Sequence, residues 1–230
     1  MQTAEVLEQI REISDPRARV IWERMGMPTE RYLGAGLTKL KHLSRKVGRN
    51  HELALSLWDT EIHDARLLAA MIEEPKKVTK EQIEQQADDG QGFLFFDLSD
   101  KYCTELIAKT TYVPDFIQAW TDHPHEYLER STYILLNEWA KRKKPVEDTF
   151  FLPYLDKIEA EIQHEKNWVK EGMIYALMGI GSRNPQLNAR AIEVCEQVGP
   201  LMVNYGDTSC VTPDPLKVLK SDKVQAKLSS

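Results

Sequence analysis

Asn50-His51-Glu52-Leu53-Ala54-Leu55-Ser56-Leu57-Trp58, followed after Asp59-Thr60-Glu61 by Ile62-His63-Asp64-Ala65-Arg66-Leu67-Leu68-Ala69-Ala70-Met71-Ile72, is the stretch that decides the fold class. Leu53, Ala54, Leu57 and Trp58 recur at the three- and four-residue spacing of one helix face, and Ile62, Ala65, Leu68, Ala69 and Ile72 repeat it. Asn50 stands where an N-cap is needed, and Gly48 where the preceding helix breaks. Sustained strand-like alternation is absent, so the expected class is all-α.

The same pattern extends in both directions. Upstream, Val6, Leu7, Ile10 and Ile13 define a helix ending near Asp15-Pro16, and Val20, Ile21, Trp22 and Met25 a second that stops before Pro28. After the loop Tyr32-Leu33-Gly34-Ala35-Gly36, Leu37, Leu40, Leu43 and Val47 mark a third. Downstream, Thr79 with Gln82 reads as a capping box for a helix through Ala87. Beyond the Gly90-Gln91-Gly92 punctuation, a helix carrying Phe96 and Asp100 is expected to run to about Lys109.

Pro114, His123-Pro124, Pro145 and Asn184-Pro185 divide the remainder into further helices. Starts near Thr79, Pro114, Glu147 and Pro185 recur every roughly 35 to 40 residues, the period of two-helix solenoid repeats. No shared residue signature accompanies that period, but it favours an array of helical hairpins over a compact bundle. The chain is expected to form one repeat domain over residues 1–230, with 200–230 as a C-terminal extension. In that extension the pattern gives an extended tail, a short helix from Leu216 to Lys220 and a polar end, packed on the last hairpin.

With 230 residues, 42% of them hydrophobic, the chain buries a core without staples. Cys103, Cys195 and Cys210 are odd in number and lack CxxC spacing, which argues against a disulfide framework or a zinc site and fits a reducing cytoplasm. No secretory leader is read at the N-terminus, and no stretch has bilayer-spanning length, so a cytoplasmic location without membrane contact is expected. A formal charge of -6 opposes nonspecific coating of nucleic acid, although local basic patches can override it. Metal and nucleotide cofactors find no support: there is no HExxH, GxGxxG or Walker pattern, and Gly179-Ile180-Gly181 follows a helix rather than a strand.

Chemistry concentrates in Leu94-Phe95-Phe96-Asp97-Leu98-Ser99-Asp100. On a helix, Phe96 and Asp100 lie one turn apart on one face, presenting a ring and an anion together. Asp100 is either a poorly solvated carboxylate that stabilises a developing cation or a first-turn acid favoured by the helix dipole, a role that Asp97 fits better. Arg130 either clamps a phosphate, pairs with Asp100, or bridges to Glu126 four residues earlier on a solvated face. Trp168 and Tyr175 share a helix with Gly172, Gly179 and Gly181, whose missing side chains point to close approach of a neighbouring helix or of a ligand. Tyr175 is then a core aromatic or a ligand platform. Basic clusters fall near helix ends, at Lys39, Lys41, Arg45, Lys46 and Arg49, at Lys76-Lys77 with Lys80, and at Lys141-Arg142-Lys143-Lys144. They are solvated faces or the edge of a track for phosphates.

Taken in order, His51 to Trp58, Ile62 to Arg66, Pro75 to Thr79, Phe95 to Asp100, Asn167 to Lys170 and Ser182 to Pro185 make the chain resemble the bacterial DNA alkylation repair family of HEAT-like alkylpurine DNA glycosylases, the AlkD-like group. The tail Tyr205-Gly206-Asp207-Thr208-Ser209-Cys210 resembles one branch of it. The resemblance implies a right-handed solenoid of HEAT-like antiparallel helical hairpins. It assigns the active-site aspartate to Asp100, the arginine to Arg130, and two tryptophan positions to Phe96 and Tyr175, both of which keep an aromatic face without the indole.

The activity it implies is monofunctional hydrolysis of the N-glycosidic bond of cationic N3- or N7-alkylated purines. The partner would be double-stranded DNA containing alkylated bases, bound by a monomer without cofactor or metal. Lys141, Arg142, Lys143, Lys170 and Arg183 would hold the duplex, and no tight base-shaped cavity is expected. The alternative is a noncatalytic helical-repeat scaffold for DNA or protein.

Overall fold

The structure, a computed structural model, describes residues 1–88, 93–142 and 146–229. The breaks expected at Gly90-Gln91-Gly92 and Pro145 lie outside these residues, as does Lys143. Among the described residues the chain forms fourteen α-helices and two short 3-10 turns, with no strand. It divides into two compact units, Met1–Tyr112 with Tyr205–Ser209, and Val113–Asn204 with Cys210–Ser230.

The first unit contains α1 (Thr3–Ile13), α2 (Pro16–Arg24), α3 (Leu37–Val47), α4 (His51–Trp58), α5 (His63–Ile72), α6 (Lys80–Ala87) and α7 (Phe96–Glu105). The caps are those the sequence offers. Asp15 accepts from the Arg17 N–H at 3.0 Å ahead of Pro16, and Asn50 accepts from the Leu53 N–H at 3.0 Å. Gly48, at φ 77°, ends α3 in the left-handed region where glycine costs least. Half of the Thr79 capping box is present: Thr79 accepts the Gln82 N–H at 3.1 Å, but the Gln82 amide donates to Glu73, also at 3.1 Å.

α4 and α5 form an antiparallel hairpin. At one end the Asn50 N–H donates to the Ile72 carbonyl at 2.8 Å; at the other the Arg66 Nε donates to the Trp58 carbonyl at 3.1 Å. α5 also packs on α3 and α7, and all ten of its residues are buried. Burying polar groups demands partners. The His63 Nε2 lies 3.0 Å from the Asp97 carboxylate, and the Arg66 guanidinium sits 4.8 Å over the Trp58 ring.

Asp64 ties α5 to the loop before α3, accepting the N–H groups of Leu33 and Ala35, each at 2.6 Å. Burial pushes its carboxyl above the usual range, and those two N–H groups pull it back only in part. Asp64→Ala removes the acceptor but also that desolvation cost, so an expected loss of about 2 kcal/mol follows from two orphaned donors. Urea denaturation measures it.

The second unit contains α8 (Val113–Trp120), α9 (Glu126–Ala140), α10 (Leu152–Glu161), α11 (Asn167–Gly181), α12 (Pro185–Val198), α13 (Pro215–Leu219) and α14 (Asp222–Leu228). α9 and α11 run parallel and in close contact, which explains the glycines. A Cβ on Gly172 would lie 3.2 Å from the Arg130 carbonyl oxygen, and one on Gly179 would lie 2.8 Å from the Asn137 Cα. Gly181 lets α12 and α13 approach instead, facing Ala191 and Leu219. These glycines therefore serve helix packing.

The extension departs from expectation in two ways. Tyr205–Ser209 belongs to the first unit, where Gly206 adopts φ 63° and a Cβ there would lie 3.0 Å from the Arg24 carbonyl carbon. The rest of the extension packs as expected: Asn204 exchanges hydrogen bonds with Asn167 at 2.7 and 2.9 Å, and α13 lies on α11 and α12. Where a polar end was expected, α14 forms. It is anchored by Gln225 donating to the Leu219 carbonyl at 2.7 Å and by Lys227 donating to the Ser182 carbonyl at 2.8 Å.

Candidate functional site

In the first unit the site is the partly exposed stripe of α7. Phe96, Asp100 and Thr104, each four residues apart, are half-buried, whereas Asp97, Leu98, Ser99, Tyr102 and Cys103 are buried. The Thr104 hydroxyl donates to the Asp100 carbonyl at 2.8 Å, a bond internal to the helix. Phe95 caps the helix start in extended conformation, so Phe96 begins the first turn and the aspartate follows one turn later. Asp97, one position after Phe96 and turned into the core, is occupied by His63 as described above.

The aromatic surface beside Asp100 is larger than the sequence indicates. Trp22 of α2 packs its indole 6.1 Å from Phe96, 5.8 Å from Phe95 and 6.2 Å from Tyr32, centroid to centroid. Trp22 is half-buried, so an indole borders the wall whose own position 96 carries phenylalanine. Helical spacing marked Trp22 as one face of α2 and gave no sign of this neighbour.

In the second unit, Arg130 on α9 and Tyr175 on α11 stand together. The Arg130 guanidinium carbon is 5.9 Å from the Tyr175 ring centroid. Arg130 is fully buried, its Nη1 lying 2.9 Å from a Glu171 carboxylate oxygen and donating to the Trp168 carbonyl at 2.6 Å. The Tyr175 hydroxyl donates to the other Glu171 oxygen at 3.2 Å. Glu126, the surface partner considered for Arg130, accepts the Trp168 N–H at 2.8 Å instead and caps α11. Tyr175 is half-buried between buried neighbours, with its ring fixed from below by Arg130 and Glu171.

Tyr175 also lines an open cavity of about 340 Å³ with Asn137, Lys141, Gly179, Ser182 and Lys227. It is an open cleft at the surface and not the tight base-shaped pocket that the resemblance excludes.

The basic positions have unlike settings. Lys141 is exposed and 2.6 Å from Glu138, while Arg142 lies 4.1 Å over the Trp139 ring. Lys170 is half-buried and donates to the Gln163 carbonyl at 3.1 Å. Arg183 is turned inward. Its guanidinium donates to the Ala140 carbonyl at 2.9 Å, to that of Arg142 at 3.2 Å and to that of Val146 at 2.9 Å, closing the C-terminal end of α9. Among the described residues no group of His, Cys, Asp or Glu could hold a metal ion, and no helix is long and apolar enough to cross a membrane.

These elements make an all-helical protein of the HEAT-like repeat class. A solved structure described as a new family of proteins related to the HEAT-like repeat DNA glycosylases with affinity for branched DNA structures matches at a TM-score of 0.84 and 19% identity, covering 99% of this chain and 96% of that one. The family follows from the sequence: residues 6–208 match the DNA alkylation repair enzyme family, and the chain belongs to it. It is 25% identical to the uncharacterised protein Lin0241 of Listeria innocua serovar 6a, over 92% of this chain and 93% of that protein. It is 23% identical to the uncharacterised protein Lmo0209 of Listeria monocytogenes serovar 1/2a, over 95% and 96%.

Proposed function

We propose that the protein is a DNA glycosylase that removes cationic N3- and N7-alkylated purines from duplex DNA. The observation that carries this reading is Asp100, partly exposed one turn beyond Phe96 and bordered by an aromatic wall, in a member of the DNA alkylation repair enzyme family. An alkylated purine is already positively charged, so its glycosidic bond breaks without protonation: the bonding pair leaves with the base, which becomes neutral. The sugar is left as an oxocarbenium-like cation.

Asp100 supplies the fixed anion that this cation meets, and it orients the water whose oxygen bonds to the anomeric carbon, releasing a proton. Phe96, bordered by Trp22, offers a face for the deoxyribose, and Tyr175 offers the second unit's aromatic face to DNA. Arg130 is a positioning residue in this reading, since it is buried against Glu171 and beneath Tyr175; it takes the place of the direct phosphate clamp that the resemblance implied. Lys141, Arg142 and Lys170 are the basic positions proposed to meet phosphates. Arg183 holds the end of α9, and its substitution acts through that frame.

The test is abasic-site formation: alkylated plasmid incubated with the purified protein should become cleavable by alkali, and an unalkylated plasmid should not. A second reading, a noncatalytic protein that binds branched DNA, is favoured by the described affinity of the structural neighbour. It expects binding to junctions without any abasic product.

A further inference from the structure

The cavity at Tyr175 has features that the chemistry proposed for Asp100 does not use. Its volume of about 340 Å³ falls in the range of small-ligand sites, roughly 300 to 1,000 Å³. Tyr175 lines it, with its hydroxyl bonded to Glu171 and its ring 5.9 Å from the Arg130 guanidinium carbon. Lys141 from the end of α9 and Lys227 from α14 also line it, with the polar side chains of Asn137 and Ser182.

Cations at the C-terminal ends of α9 and α11 complement the helix dipoles, and this accounts for lysines there. It does not account for an aromatic-lined cavity beside them. An ammonium carries three donors, so the anchoring of Lys227 to the Ser182 carbonyl and of Lys141 to Glu138 is compatible with a shared anion. An anion joined to a flat ring system is what two ammonium groups beside an aromatic face recognise.

We infer that this cavity takes one unpaired nucleotide of DNA, its phosphate between Lys141 and Lys227 and its base against Tyr175. The nucleotide must be unpaired because a base inside an intact duplex offers no free face. The C-terminal helix α14 thereby becomes part of the binding surface through Lys227. This inference rests on the DNA-binding part of the function proposed above and not on its hydrolytic step.

Fluorescence anisotropy on the full chain tests it, with a duplex carrying a one-nucleotide bulge and the same duplex fully paired. The bulged duplex is expected to bind about tenfold more tightly, and Tyr175→Ala to remove most of that preference, in line with base stacking on an aromatic. Lys227→Gln, at an exposed position, is expected to weaken bulge binding by about fivefold and to reduce the salt dependence by about one phosphate contact.

Equal affinity of the wild type for both duplexes overturns the inference. So does Lys227→Gln binding with unaltered affinity and salt slope. Base release is scored separately. A protein that prefers the bulge through Lys227 yet releases no base upholds the nucleotide site and rejects the glycosylase; one that releases base but ignores the bulge does the reverse.

Discussion

Asp100→Asn is expected to lower alkylpurine release by about 10² to 10³-fold, the scale of removing one preorganised electrostatic group. The substitution keeps the shape of the side chain and deletes its charge, so ground-state binding of DNA should change little. The loss belongs to the transition state, where the sugar carries positive charge that the substrate sugar lacks. It should appear in the single-turnover rate and not in the affinity. Asp97→Asn provides the contrast. Its carboxylate is buried 3.0 Å from the His63 Nε2, so the substitution should lower stability and leave the single-turnover rate of the folded fraction unaltered. Equal effects of the two substitutions on that rate would mean that α7 is merely a scaffold.

The second large effect is on stability. Glu171→Ala strips a carboxylate from the fully buried Arg130 and from the Tyr175 hydroxyl, and breaking a buried ion pair from one side costs about 3 to 5 kcal/mol. Much of that cost is the stranded guanidinium. The double variant Arg130→Met with Glu171→Leu removes both charges and should recover most of the stability in chemical denaturation. If Arg130 acts only by positioning Tyr175, the recovered double variant still binds DNA with unaltered salt dependence. A reduced salt slope would instead identify Arg130 as a phosphate contact.

Much of the helical framework was legible because caps and periodicity are local. Asn50, Asp15-Pro16, Gly48 and Pro185 punctuate helices through their own backbone chemistry, and the Phe96–Asp100 spacing needed only helix geometry. What lay hidden depends on partners distant in sequence. An apolar stripe shows that a face is covered but not by what, so the complete burial of α5, with His63, Asp64 and Arg66 inside, could not be read from it. Arg130 had a plausible local partner in Glu126, and the structure pairs it with Glu171 across the α9–α11 contact. Trp22 and Lys227 escaped for the same reason: neither has a sequence neighbour that marks its role. The glycines were legible as a sign of close approach, and the packing of α9, α12 and α13 identifies what approaches.

The most direct measurement is chromatographic identification of the bases freed from alkylated duplex DNA at low salt, with wild type and Asp100→Asn side by side. Release of 7-methylguanine or 3-methyladenine by the wild type, and its collapse in the variant, is the expected result. A wild-type protein that frees neither base, or an Asp100→Asn variant as active as the wild type, would contradict the assignment of Asp100 as the group that stabilises the departing sugar.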